Sequence, residues 1–172
     1  FKYQILIIIL SIITMKPATV KELKTELSTR SEKELVEICL KLSKFKKENK
    51  EVLSFLLYDF DNEAGYIEDI KNEIDNEFDE INKTSYFFIK KSVRKILRNT
   101  KKYIRYSKKK ETEVALLLHF CSCLKEFKPS IKKRARLVAT FDRQIILIKK
   151  AISTLHEDLQ YDYQLELENF RK

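Results

Sequence analysis

A chain of 172 residues has the length of one ordinary domain, and 44% hydrophobic residues are enough to build a core, which argues against disorder. One glycine, Gly65, and two prolines, Pro17 and Pro129, exclude sheets rich in tight hairpins as well as P-loop and dinucleotide folds, whose backbones need several glycines to approach phosphate. The net charge of +9, from 35 basic and 26 acidic residues, permits nucleic acid, an acidic protein or a membrane surface as partner without requiring one.

The chain opens at Phe1, and the apolar run Ile5 to Ile13 is about half of the ~20 residues that a spanning helix needs. Met15-Lys16-Pro17 follows it. The expectation is therefore that translation starts at Met15, that 1–14 is an upstream extension, and that 15–172 is a single all-helical domain with no stable membrane insertion. A short N-terminal anchor or signal segment is the alternative. Thr19 to Leu27 reads as a short helix with Val20, Leu23 and Leu27 on one side. Ser28-Thr29-Arg30 breaks it. Ser31 and Glu34 form a capping box that opens a helix with the stripe Leu35, Ile38, Cys39, Leu42, Phe45. Lys46 to Lys50 is a polar bend, followed by Val52, Leu53, Leu56, Leu57 and Phe60.

Asp61-Asn62 offers the next cap, before Tyr66 or Ile67, then Ile70, Ile74, Phe78 and Ile81. After a turn at Asn82 to Ser85, a long helix carries Ile89, Val93, Ile96, Leu97, Tyr103 and Ile104. Ser107 to Lys110 breaks the pattern. A sixth helix carries Val114, Leu117, Leu118, Cys121 and Leu124 and ends before Pro129. Ser130 can cap the last and longest stripe, Leu137, Phe141, Ile145, Ile148, Ile152, Leu155 and Leu159. The fold class is all-α: antiparallel helix pairs, about seven helices, in a bundle or a short α-solenoid.

The stretch Lys21-Glu22-Leu23-Lys24-Thr25-Glu26-Leu27, the Ser-initiated segment Ser31 to Leu42 and Glu51-Val52-Leu53-Ser54-Phe55-Leu56-Leu57 follow one another in the same order as in an uncharacterised bacterial all-helical family, which this part of the chain (about 20–60) resembles. The resemblance implies a helical fold and a cytoplasmic setting. It carries no catalytic residues.

Three cysteines, Cys39, Cys121 and Cys123, are not a disulfide framework and point to a reducing compartment. His119-Phe120-Cys121-Ser122-Cys123 looks like a metal cluster, but on a helix only His119 and Cys123 share a face. Two ligands do not make a structural zinc site, so the cysteines are expected in the core. His156-Glu157-Asp158 cannot form a triad on one helix, and no Glu-x-x-His motif occurs for a di-iron bundle. No catalytic, cofactor or metal residues are expected, and the protein is not expected to be an enzyme.

Charge is distributed unevenly. Asp59 to Asn82 holds ten acidic residues and one lysine, whereas Lys83 to Lys110 holds twelve basic residues and no acidic one. Antiparallel pairing about the turn would set Asp79 and Glu80 near Lys90 and Lys91, and Glu73 and Glu77 near Arg94 and Lys95. Two basic clusters exceed that pairing. Lys101, Lys102, Arg105, Tyr106, Lys108, Lys109 and Lys110 fall opposite Gly65 and Tyr66, where acids thin out, with Tyr106 available to stack on a base. Lys128, Lys132, Lys133, Arg134 and Arg136 form the second cluster, at 128–136 by the start of the last helix, where cations oppose the helix dipole. The sequence therefore suggests a cytoplasmic, non-enzymatic adaptor that binds another protein. The alternative is a nucleic-acid-binding accessory protein using these two clusters, and that reading gains only if they adjoin.

Overall fold

Helix starts are set where a side chain takes up otherwise unpaired amide groups. The hydroxyls of Thr19 and Ser31 accept the amides of Glu22 and Glu34, whose carboxylates take the amides of Thr19 and Ser31 in return. Asn62 accepts the amide of Gly65 at 3.1 Å. A β-carbon on Gly65 would meet the Asn62 side chain at 2.4 Å, so the cap needs glycine there.

The computed structural model describes residues 16–169, so the expected extension 1–14 and the start at Met15 lie outside the described residues. Among those residues there are eight α-helices and no strand: α1 (Val20–Leu27), α2 (Glu32–Phe45), α3 (Lys47–Ser54), α4 (Glu63–Asp79), α5 (Tyr86–Ser107), α6 (Lys110–Glu126), α7 (Ala135–Ile152) and α8 (Glu157–Asn169). None of them is long and apolar enough to cross a membrane. The chain divides into two compact units, the first ending at Lys50 and the second beginning at Glu51.

The first unit contains α1, α2 and the opening of α3. Lys46 leaves the helix with φ −144° and ψ 146°, at the expected bend, and the Asn49 amide bridges it by donating to the Leu42 carbonyl. α1 and α2 bury no residue, and of the α2 stripe only Leu35 and Ile38 are half-covered.

The second unit is a helix bundle. Glu77 faces Asn99 and Lys95, and Glu73 faces Tyr103, so α4 and α5 run antiparallel. Glu63 meets Thr112 and Phe78 stacks on Phe120, so α4 and α6 run parallel. Arg134 lies over the Tyr86 ring, while Lys101 and Arg143 line one groove further along, so α5 and α7 run parallel. α6 is the innermost helix. Val114, Leu116, Leu117, Leu118, Phe120, Cys121 and Leu124 are buried on nearly every side of it. Each such side chain contributes about 1.5–3 kcal/mol by leaving water.

Two helix faces differ from expectation. The stripe Val52, Leu53, Leu56, Leu57, Phe60 assumed an unbroken α-helix, but α3 widens into a π-helical turn at Phe55–Asp59. The wider turn rotates the face. Phe55 becomes 2% exposed, 4.6 Å from the Tyr66 ring, and Leu56, Leu57 and Phe60 face outward. The last stripe is also two helices. The Ser153 and Thr154 hydroxyls donate to the carbonyls of Lys150 and Ala151, which closes α7, and α8 returns so that Leu167 lines one groove with Ile152 and Lys149.

Candidate functional site

The basic residues at the C-terminal end of α5 do not form a free cationic surface. Glu51 accepts from Lys102 at 2.6 Å and from the Tyr106 hydroxyl at 3.0 Å. Glu63 takes the hydroxyls of Ser107 and Thr112, and Lys109 lies 2.9 Å from it. Burial pushes the Glu63 carboxyl up, but these donors outweigh it and hold the group below its ordinary value. Lys110 pairs with Glu113 at 2.6 Å. Acids were expected to thin out here, but α3 and the first turn of α4 supply them. Lys101 is half-buried at the α5–α7 groove, where loss of water lowers its pKa, Glu113 opposes that shift and Arg143 adds to it. Arg105 and Lys108 face solvent.

The second cluster stands elsewhere. Lys132, Lys133, Arg134 and Arg136 are exposed around the start of α7, and the Arg134 guanidinium sits 4.8 Å from the centre of the Tyr86 ring. Tyr86 opens the 22-residue α5 and Ser107 closes it, which puts about 30 Å between the clusters at 1.5 Å per residue. The two clusters do not adjoin.

A different basic surface lies between them. A groove of about 590 Å³ on α5 is lined by Phe87, Phe88, Lys90, Lys91, Arg94, Lys95 and Arg98 among others. Lys95 reaches Glu77 at 3.3 Å. The expected pairing of Lys90, Lys91 and Arg94 with acids on α4 does not occur among the described residues, and Phe87 is 60% exposed. The adjacent pair Phe87-Phe88 was the sequence signal for this surface, because the 3.6-residue period leaves both off the buried face.

Between α4 and α6, three donor side chains converge. His119 and Cys123, one turn apart on α6, face α4, which contributes Asp75. Asp75 Oδ1 lies 2.8 Å from His119 Nε2 and accepts from Cys123 Sγ at 3.2 Å. The three ligand atoms lie within 4.8 Å of one another. Only Cys121 is a core cysteine. Cys123 is half-buried beside a groove of about 410 Å³ lined by Asp79, Lys83, Glu126 and Lys128 among others, and Cys39 is exposed. Burial, reinforced by the Asp75 carboxylate, pushes the Cys123 thiol up to about 12. The His119–Cys123 face was visible as a spacing of four. Asp75 was not, because nothing in the sequence says which residue of α4 lies opposite.

The remaining surface feature belongs to the first unit, where Val20, Leu23, Leu27, Val36, Leu40, Leu42 and Phe45 are exposed. Comparison with known proteins assigns no role to any of these surfaces: no protein-family model, no curated protein and no solved structure matches the chain.

Proposed function

We propose that this is a non-enzymatic, cytoplasmic helical interaction protein that docks another protein on the apolar faces of α1 and α2. One observation carries the proposal: these helices have the caps and stripes of packed helices yet bury nothing of their own. Helices of 8 and 14 residues are marginal in water without packing. An apolar groove that receives Leu35, Ile38, Leu42 and Phe45 at helical spacing would stabilise them and gain affinity at once. Lys41 and Lys44 flank that stripe, so an acidic rim on the partner would complement it.

The test is a photo-crosslinking residue placed at Leu42 in the full chain, expressed in native cells, with Lys132 as the control position. One reproducible protein adduct at Leu42, absent at Lys132 and lost on Phe45→Asp, is the expected result. Adducts only to itself, or none, would refute the docking reading.

A second reading, nucleic-acid binding, draws support from the α5 groove rather than from the two clusters first expected to carry it. Phe87 and Phe88 offer stacking faces beside Lys90, Lys91, Arg94 and Arg98, which have no acidic partner among the described residues. Binding of labelled RNA or DNA should then weaken steeply with salt and fail in Arg94→Glu/Arg98→Glu. It should persist in Lys132→Glu/Lys133→Glu. Affinity no tighter than ~10⁻⁴ M at physiological salt is background and removes this reading.

A further inference from the structure

We propose that Asp75, His119 and Cys123 form a zinc-binding site that clamps α4 to α6 and keeps a fourth coordination position open toward the adjoining groove. The donor set is one carboxylate oxygen, one imidazole nitrogen and one thiolate sulfur. Sulfur and nitrogen together select zinc over the hard cations magnesium and calcium. Three protein ligands with an open position is the arrangement of a zinc ion that also holds water or a further ligand.

The geometry suits the ion. Zinc–ligand bonds of about 2.0–2.3 Å place tetrahedral ligand atoms roughly 3.3–3.6 Å apart. The observed 2.8 Å from Asp75 to His119 and 3.2 Å from Asp75 to Cys123 need an expansion of about 0.3–0.5 Å, and His119 and Cys123 lie within 4.8 Å of each other, so side-chain rotation sets the third separation. The partners come from rigid elements: His119 and Cys123 are fixed by their spacing of four on the innermost helix, and Asp75 lies between the buried Ile74 and Phe78 anchor positions of α4. At present one carboxylate oxygen serves both the thiol and the imidazole, where a cation would sit.

Electrostatics agree. Glu68 and Asp79, seven residues before and four after Asp75, share its exposed side of α4 on a chain of net charge +9, with Glu68 paired to Lys71 at 2.7 Å. Charge balance is exact for a divalent ion, since a carboxylate and a thiolate cancel Zn²⁺ while imidazole stays neutral. Binding displaces the Cys123 proton to solvent. Ligation requires the thiolate, so binding is coupled to loss of that proton.

Cobalt(II) tests this on the purified, reduced full chain, with Zn²⁺ as competitor. One equivalent of Co²⁺ should give visible bands of low-symmetry coordination and a near-ultraviolet thiolate-to-cobalt band, both erased by Zn²⁺. Zinc should also raise the melting temperature, because it binds only the folded arrangement. The thiolate band should vanish in Cys123→Ser and survive in Cys39→Ser. Affinity should fall by at least the ~10–100-fold typical of outer-shell partners in Asp75→Asn and His119→Ala. Circular dichroism of each variant without metal establishes that it folds, and the Cys39→Ser comparison holds even if one of the others does not. No thiolate band with the wild-type chain, a band that survives Cys123→Ser, or a band lost in Cys39→Ser would overturn the site.

Discussion

Residues 16–50 and residues 51–169 use the same local signals and end in opposite physical states. Both have capped helix starts, amphipathic stripes and charged outer faces. In the second unit those stripes close on one another, and Val93, Val114, Phe120 and Ile148 are 0% exposed. In the first unit Phe45 is 77% exposed at the end of a stripe of equal quality. The difference teaches that an amphipathic pattern specifies a face and not what covers it. The second unit has four long helices whose faces can meet around α6. The first has two short ones, which together cannot exclude water from either face.

The largest expected effect tests that contrast directly. Phe120→Ala should destabilise the full chain by about 3–5 kcal/mol, whereas Leu42→Ala should stay within ~0.5 kcal/mol, by denaturant unfolding followed at 222 nm. Equal costs would mean that the first unit is packed like the second.

The π-helical turn sharpens the boundary. Phe55→Ala should cost about 3 kcal/mol and Leu56→Ala almost nothing, although a regular helix would rank them the other way. Chemical-denaturation midpoints of the two variants decide it.

Within the bundle, Glu63→Gln should cost about 1–3 kcal/mol, because the hydroxyls of Ser107 and Thr112 and the Lys109 ammonium lose a charged acceptor. The Glu63 carboxyl titrates lower folded than unfolded. Its contribution is therefore complete above the ordinary value of 4.5 and is lost as pH falls through the folded value. Melting temperatures recorded down the acid limb should fall less steeply in Glu63→Gln than in the wild type.

The smallest effect belongs to the first unit. Ser31→Ala removes a capping box and should cost α2 about 1 kcal/mol, seen as faster amide exchange across Glu32–Phe45 with the bundle unchanged. Faster exchange through the bundle core as well would show that the two units share stability.

Legibility followed the range of the interactions. The helices, the Ser31–Glu34 capping box, the Asn62 cap and the stripe Tyr66, Ile70, Ile74, Phe78, Ile81 were readable because their causes lie within four residues along the chain. The π turn at Phe55 and the break at Ser153 were not, since the surrounding stripes remain apolar across both and only competing contacts reveal the change of face. The 101–110 cluster was visible as charge, but the pairing of Lys102 with Glu51 and of Lys109 with Glu63 depends on partners more than forty residues away.

The sequence by itself determined an all-helical, basic chain with sharply capped elements and too few glycines for phosphate-binding loops, because propensity, capping and periodicity are local. Tertiary structure alone decided that the clusters at 101–110 and 128–136 stand at opposite ends of α5. It alone left Phe87 and Phe88 open beside Arg94 and Arg98, and it alone brought Asp75 to His119 and Cys123. Those outcomes depend on which face of one helix packs against which face of another, and that choice is made by the fit of the whole core rather than by any single segment.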